Sequence, residues 1–221
     1  MRMRIATEGI YGVVAVVLAL NGTLAVGASP QGTARMPTRY TIDPDASEVV
    51  LHVGKGGLFS FAGHTHQVAA PVAEGAIEFD RGNPSGLSVL VEFDAARLRV
   101  TGEGEPPEDV PEVQATMESE RVLDVTRFPR IRFASRQVEV TGEEGNTLRL
   151  SVQGDLTLHG VARPLTADVS MEVAPDRLAA TGTLVIRQSD FGIAPITAGA
   201  GTVRVKDEVE AVFTLVAAPA L

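Results

Sequence analysis

Cysteine and tryptophan are both absent from the 221 residues. No disulfide, thiol nucleophile or thiolate metal site is therefore available. The absence does not fix a compartment, because an exported protein can fold without bridges. Aromatic residues make up only 5% of the chain. Positive charge is also in short supply: 19 Lys and Arg stand against 28 Asp and Glu, giving a net charge of -9. With no basic cluster, the chain lacks the cationic contacts that nucleic-acid phosphates demand, and nucleic acid is excluded as a partner. There is no G-x-S-x-G elbow and no phosphate-cradling glycine loop between a strand and a helix. No enzyme activity is expected.

Long apolar runs are missing too. Ile10 to Leu20 (IYGVVAVVLAL) is too short for the roughly 20 apolar residues of a spanning helix. It follows Arg2 and Arg4 and precedes the small residues of TLAVGAS, the pattern of a secretory signal peptide. Residues 1–28 are read as that signal, 29–38 as a flexible tail and 39–217 as one domain. Periplasmic or secreted localisation follows, with no stable membrane span after signal removal.

What the chain has is alternation. From Leu148 to Val173, Leu148, Leu150, Val152, Leu156 and Leu158 fall on one side of an extended chain, with Arg149, Ser151, Gln153, Asp155 and Thr157 on the other. The pattern resumes at Leu165 and runs through Ala167, Val169, Met171 and Val173. A period of two gives one dry and one wet face, so this stretch is a long antiparallel hairpin, with Gly160 and Pro164 marking its reversal. Similar segments recur at Arg39–Ile42, Glu48–Val53, Gly75–Asp80, Leu87–Asp94, Arg130–Val140, Arg177–Arg187 and Thr202–Val216. In Arg130–Val140 the apolar phase slips between Phe133 and Val138, which predicts a β-bulge at Ser135 to Gln137. Val110–Asp124 is the one helical segment of the mature chain, with Asp109 as its cap and Pro111 in its first turn.

About eight strands without βαβ spacing make an antiparallel all-β domain, as a sandwich or as a barrel. Eight is the number at which a barrel can hold one small ligand. The apolar faces are either a filled core, as in a packed interaction module, or the wall of a cavity. For a cavity, phase and aromatic content select Phe59, Phe61, Phe79, Phe93, Phe133, Leu156, Leu158, Phe191 and Phe213 as ligand-binding residues. His64 and His66 point the same way on a strand and are candidate metal ligands, with His159 as a further donor. Rim residues can support a homodimer, although no motif specifies one.

Several short patterns resemble the YceI-like, or polyisoprenoid-binding, family. They are Tyr40-Thr41-Ile42-Asp43-Pro44, Gly75-x-Ile77-x-Phe79-Asp80, Phe128-Pro129-x-Ile131-x-Phe133-x-Ser135 and Arg187-x-x-Asp190-Phe191-Gly192-Ile193. The most specific is Gly154-Asp155-Leu156-Thr157-Leu158-His159-Gly160-Val161-x-Arg163-Pro164. The resemblance implies an eight-stranded antiparallel, lipocalin-like barrel with one short helix. It implies an amphiphilic, lipid-like small-molecule partner, an isoprenoid or quinone, as the only bound group and no catalytic set. The chain departs from the family pattern at Ala46 and Lys55, where histidine is frequent, and at Val122-Leu123-Asp124-Val125, which lacks two aromatics.

Overall fold

The computed structural model describes residues 36–56, 66–103, 106–198 and 203–220. The signal-peptide segment 1–28, Phe59, Phe61 and His64 all lie outside these residues. Twelve β segments form one sheet: β1 (Thr38–Ile42), β2 (Glu48–Gly56), β3 (His66–Ala69), β4 (Val72–Phe79), β5 (Ser88–Asp94), β6 (Arg99–Val100), β7 (Arg130–Glu144), β8 (Thr147–Leu158), β9 (Val161–Val173), β10 (Leu178–Arg187), β11 (Thr197–Ala198) and β12 (Val203–Pro219). One α-helix, α1 (Val110–Glu118), lies between β6 and β7.

The pairings reduce these segments to eight staves. β1 and β2 both run along the same edge of β12, at Tyr40↔Pro219 to Ile42↔Ala217 and at Glu48↔Thr214 to Gly56↔Arg204. They are one strand, interrupted by the turn at Asp43 to Ser47. Val216 faces that interruption, and its backbone groups are still satisfied. Asp43 N–H donates to the Val216 carbonyl (2.8 Å), and Val216 N–H donates to Ser47 Oγ (3.0 Å). A buried backbone group without a partner is costly, so the Ser47 hydroxyl stands in for the missing rung. β3 and β4, separated by Ala70 and Pro71, form the second stave against β2 and β1. β5 and β6, separated by the 3₁₀ turn Ala95–Arg97, form the third. β7, β8, β9, β10 and β12 complete a ring that closes at β12–β1. Neighbours in sequence are neighbours in space. The result, among the described residues, is a closed, eight-stranded antiparallel up-and-down barrel with one α-helix, and closure removes the two edge strands that an open sheet would carry.

The long hairpin is β8–β9, paired without a shift from Thr147↔Glu172 to Leu158↔Val161. Its reversal is the two-residue turn His159–Gly160. Both residues have positive φ, 51° and 73°, as a type I′ turn requires. Pro164 is not part of the turn: it sits within β9, opposite Asp155. The phase slip in β7 is a bulge in which Arg136 is the extra residue, between the pairs Ser135↔Gly154 and Gln137↔Gln153. The bulge restores Val138 to the inside, and Arg136 turns outward to the Asp155 carboxylate.

The ring is tightly packed at one end, although β7 there runs on past its last pair with β5, Leu90↔Ala134, and it is partly unzipped at the other. At the closed end, Ile42, Phe79, Leu148, Val173, Leu178 and Ala217 form a floor, each at most 7% exposed. At the opposite end two seams open. β6 continues the third stave past its last contact with β7, and α1 takes the place of the missing neighbour. There Gln114 imitates a strand: its Oε1 accepts from Val100 N–H (2.9 Å) and its Nε2 donates to the Leu98 carbonyl (3.0 Å). α1 ends at Glu118, earlier than the sequence reading of 110–124. The Asp109 side chain makes no capping bond, although its carbonyl accepts from Val113 N–H. The second seam lies between β9 and β10, whose pairing stops at Asp168↔Thr183.

Candidate functional site: an apolar cavity

Above the floor the barrel is hollow. The cavity is about 240 Å³ and is lined by side chains from every stave and from the segment after α1. An apolar void of about 150 Å³ already admits benzene, so this one has room for a larger guest. Inward positions of β8 (Leu150, Val152, Leu156, Leu158) and β9 (Leu165, Ala167, Val169, Met171) supply one side. Those of β10 (Ala180, Leu184, Ile186) and β12 (Val209, Ala211, Phe213, Leu215) supply another. Alternation produces this wall directly, because every second residue of each strand must face inward. Among the described residues, Gln188 is the only polar side chain on it.

Five of the residues selected from sequence stand on the wall: Phe93, Phe133, Leu156, Leu158 and Phe213. Phe79 and Phe191 do not. Both are 3% exposed and buried in the core. Phe79 has the inward phase but belongs to the floor. Phe191 lies in the 3₁₀ turn Gln188–Phe191, just beyond β10. Aromatic content favoured these two, whereas the wall is mostly aliphatic. The wall residues that the selection missed, such as Val49, Leu51, Val91 and Ile131, carry the same alternation signal as those it found.

Two glycines shape the wall. A Cβ on Gly182 would lie 2.5 Å from Phe213 Cζ and 2.8 Å from the Asp168 carbonyl oxygen. A Cβ on Gly154 would lie 2.6 Å from Phe133 Cζ and would also collide with the Ala134 carbonyl. Each glycine lets a phenyl ring lie against the strand backbone instead of projecting into the hollow.

The unzipped end is held by side chains from three connections. The His159 ring packs against Phe128 with centroids 4.5 Å apart, and His159 Nδ1 lies 3.2 Å from the Phe191 carbonyl oxygen. Arg127 stands over the other ring of this pair, 5.1 Å from the Phe128 centroid, a cation–π contact. The β8–β9 turn, the segment after α1 and the turn after β10 are thus tied at one point. Gly160 is needed here twice: for its positive φ, and because a Cβ would meet the Phe128 ring at 2.5 Å. On the same rim, Asp207 accepts from the Ser189 hydroxyl (2.6 Å) and the Ser189 N–H (2.8 Å). These bonds, aided by Arg187 and Arg204, hold its carboxyl below the usual carboxylate range. His66 begins β3, opposite Val53. Among the described residues no group of three His, Cys, Asp or Glu side chains is placed to hold a metal.

A closed eight-stranded antiparallel barrel with a packed floor, an apolar hollow and a looser mouth is the architecture of lipocalin-like barrels. Residues 40–217 match the YceI-like domain profile, and the chain belongs to that family. It is 30% identical over 126 residues to a UPF0312 protein of Pseudomonas savastanoi pv. phaseolicola, a match covering 54% of this chain and 59% of that one. It is 31% identical over 98 residues to a UPF0312 protein of Enterobacter sp., covering 44% of each. The chain thus spans about three-fifths or less of the length of these curated relatives. In fold it is similar to BcnA of Burkholderia cenocepacia (TM-score 0.61, 20% identity, covering 79% of this chain and 98% of that one). It is also similar to a polyisoprenoid-binding domain from Saccharophagus degradans implicated in plant cell wall breakdown (TM-score 0.60, 13% identity, covering 82% and 98%).

Proposed function

We propose that this protein binds and holds a long apolar or amphiphilic chain, of the isoprenoid or quinone type, inside its barrel. The observation that carries the reading is the wall: a hollow of about 240 Å³ whose described lining contains a single polar side chain. Such a surface offers no acid, base or nucleophile to a substrate, so the chemistry it supports is binding rather than catalysis. Its affinity comes from apolar burial, at about 0.8 kcal/mol for each CH₂ removed from water. The polyisoprenoid-binding domain of S. degradans, similar in fold, supports the same ligand class. The N-terminal pattern of Arg2, Arg4 and Ile10 to Leu20 supports export to the periplasm or beyond. A carrier for greasy molecules would be useful there, because such molecules cross water only when covered.

Native mass spectrometry and solvent extraction of the protein purified from its own host test this. An isoprenoid or quinone-like mass released from the barrel is the expected result. A barrel that arrives empty and takes up no added polyprenol overturns it.

A further inference from the structure

The depth of the hollow can be read from the β-ladder. Val173, Leu178 and Ala217 are paired across β9, β10 and β12 as a row of the floor. The next inward row, Met171, Ala180 and Leu215, begins the wall, and Ile186↔Val209 is the highest wall pair on β10 and β12. Ala180 and Ile186 are six residues apart on one strand. At about 3.3 Å per residue and a strand tilt of about 40°, the wall is about 15 Å deep. An extended hydrocarbon advances about 1.3 Å per C–C bond, so about twelve carbons span that depth.

The volume supplies an independent figure. Scaled from the benzene held by an apolar cavity of about 150 Å³, the hollow of about 240 Å³ takes about ten carbons. Length and volume agree only if the guest lies extended and in single file. A wider hollow of the same depth would take several times the carbons that its length admits, and a chain folded back on itself would not fit this one. Nor can the chain be threaded deeper. Leu178 and Ala217 are fully buried across the bottom, and Ile42 beside them is 1% exposed. Apolar burial stabilises only the carbons within the wall, because those beyond the mouth stay in water whether the guest is bound or free.

We infer that the barrel is a depth gauge: it grips one apolar terminus of about ten to fifteen carbons, the length of a monoterpene- or sesquiterpene-type chain or of the tail end of a longer one, and leaves the rest of a longer guest outside. The inference rests on the chain-holding reading above and specifies which part of the guest is recognised.

The test uses the full-length, delipidated protein and guests that share one soluble neutral head. Octaethylene glycol ethers of straight chains from hexyl to octadecyl, in two-carbon steps, displace a fluorescent apolar probe, each below its micelle concentration. Affinity should rise by about 10-fold per step up to dodecyl or tetradecyl. Beyond hexadecyl it should change by less than about 2-fold per step, and the farnesyl and geranylgeranyl ethers should differ by less than about 3-fold, since added carbons stay in water. Ala180→Leu fills the lowest row of the wall and should move the break to chains shorter by about three carbons. A variant that merely loosened the fold would weaken every length alike and leave the break where it was. Affinity that climbs by the same factor through octadecyl overturns the inference while the chain-holding reading stands. So does a break that Ala180→Leu does not move. The wild-type profile needs no variant, so the inference stays testable even if Ala180→Leu does not fold. If no ether of any length displaces the probe, it is the chain-holding reading that fails.

Discussion

The two ends of the barrel are built from the same alternating strands and differ in what meets at the axis. At the floor, Leu178 is fully buried and its β-ladder neighbours Val173 and Ala217 are buried beside it. At the mouth, Leu158, Leu165, Leu184 and Ile186 point inward with the same phase but are only half-buried. The floor gains dispersion contacts on all sides, whereas a wall side chain has a void on one side and forfeits part of them. One end therefore carries stability and the other keeps room, a division expected where a binding site must not collapse onto itself.

The sharpest way to break this comparison is to truncate one side chain at each end. Leu178→Ala should cost about 2–5 kcal/mol, the range for deleting a fully buried leucine in a core that cannot relax. Urea unfolding reads it as a lower midpoint at unchanged slope. Equal losses at floor and mouth would show that the hollow is in fact packed. Next in size is Gly182→Ala. Its new Cβ meets both the Phe213 ring and the Asp168 backbone oxygen, and the overpacking should cost about 1–3 kcal/mol. Because the ring is the only one of the two that can move into the hollow, the same variant should lose capacity for a fluorescent lipid probe. A stable Gly182→Ala protein with full capacity would mean that Phe213 does not bound the site. Leu158→Ala, on the wall near the mouth, should cost only about 1–2 kcal/mol, since much of that side chain already lacks partners. It should leave probe binding intact or improved, by enlarging the space.

The same contrast explains what the sequence could and could not reveal. Alternation encodes which face of a strand is dry, and on that basis the long hairpin, its inward residues and the bulge at Arg136 were all legible. It does not encode height along the barrel axis. Phe79 and Phe93 share an inward phase, yet the stagger of neighbouring strands puts one in the floor and the other on the wall. Nor does it encode hydrogen-bond partners. Leu165 continues the pattern of β9 without interruption, although β9 has by then parted from β10. Gln114 gives no signal as the surrogate rung for β6, because any exposed helix face carries such residues. Ser47 is similar: its role exists only because β1 and β2 share an edge of β12. Gln188 was passed over because it follows an inward-phased strand as an ordinary polar residue. That it is the one polar residue of the described lining shows only once the whole cavity is known.

The smallest expected effect belongs to the mouth and sharpens the comparison from the other side. Asp207 holds Ser189 through two hydrogen bonds, which keep its folded-state pKa below the ordinary aspartate value. A carboxyl depressed on folding contributes stability that is fully present above the unfolded pKa and is lost as pH falls through the folded one. The contribution should therefore hold at neutral pH and fade only below about pH 3.9. Because Asp207 is only half-buried on the rim, solvent screening keeps the effect on global stability slight. It should instead be local, and readable as faster amide exchange at Ser189 in acid while Leu178 and its floor neighbours stay protected. Asp207→Asn keeps the shape but removes the titration, so it should abolish that acid-dependent loosening without moving the floor. A carboxyl carbon titration placing the Asp207 midpoint at or above 3.8 would show that the Ser189 clamp does not form. The turn that carries Gln188 would then be free of the rim rather than fastened to it.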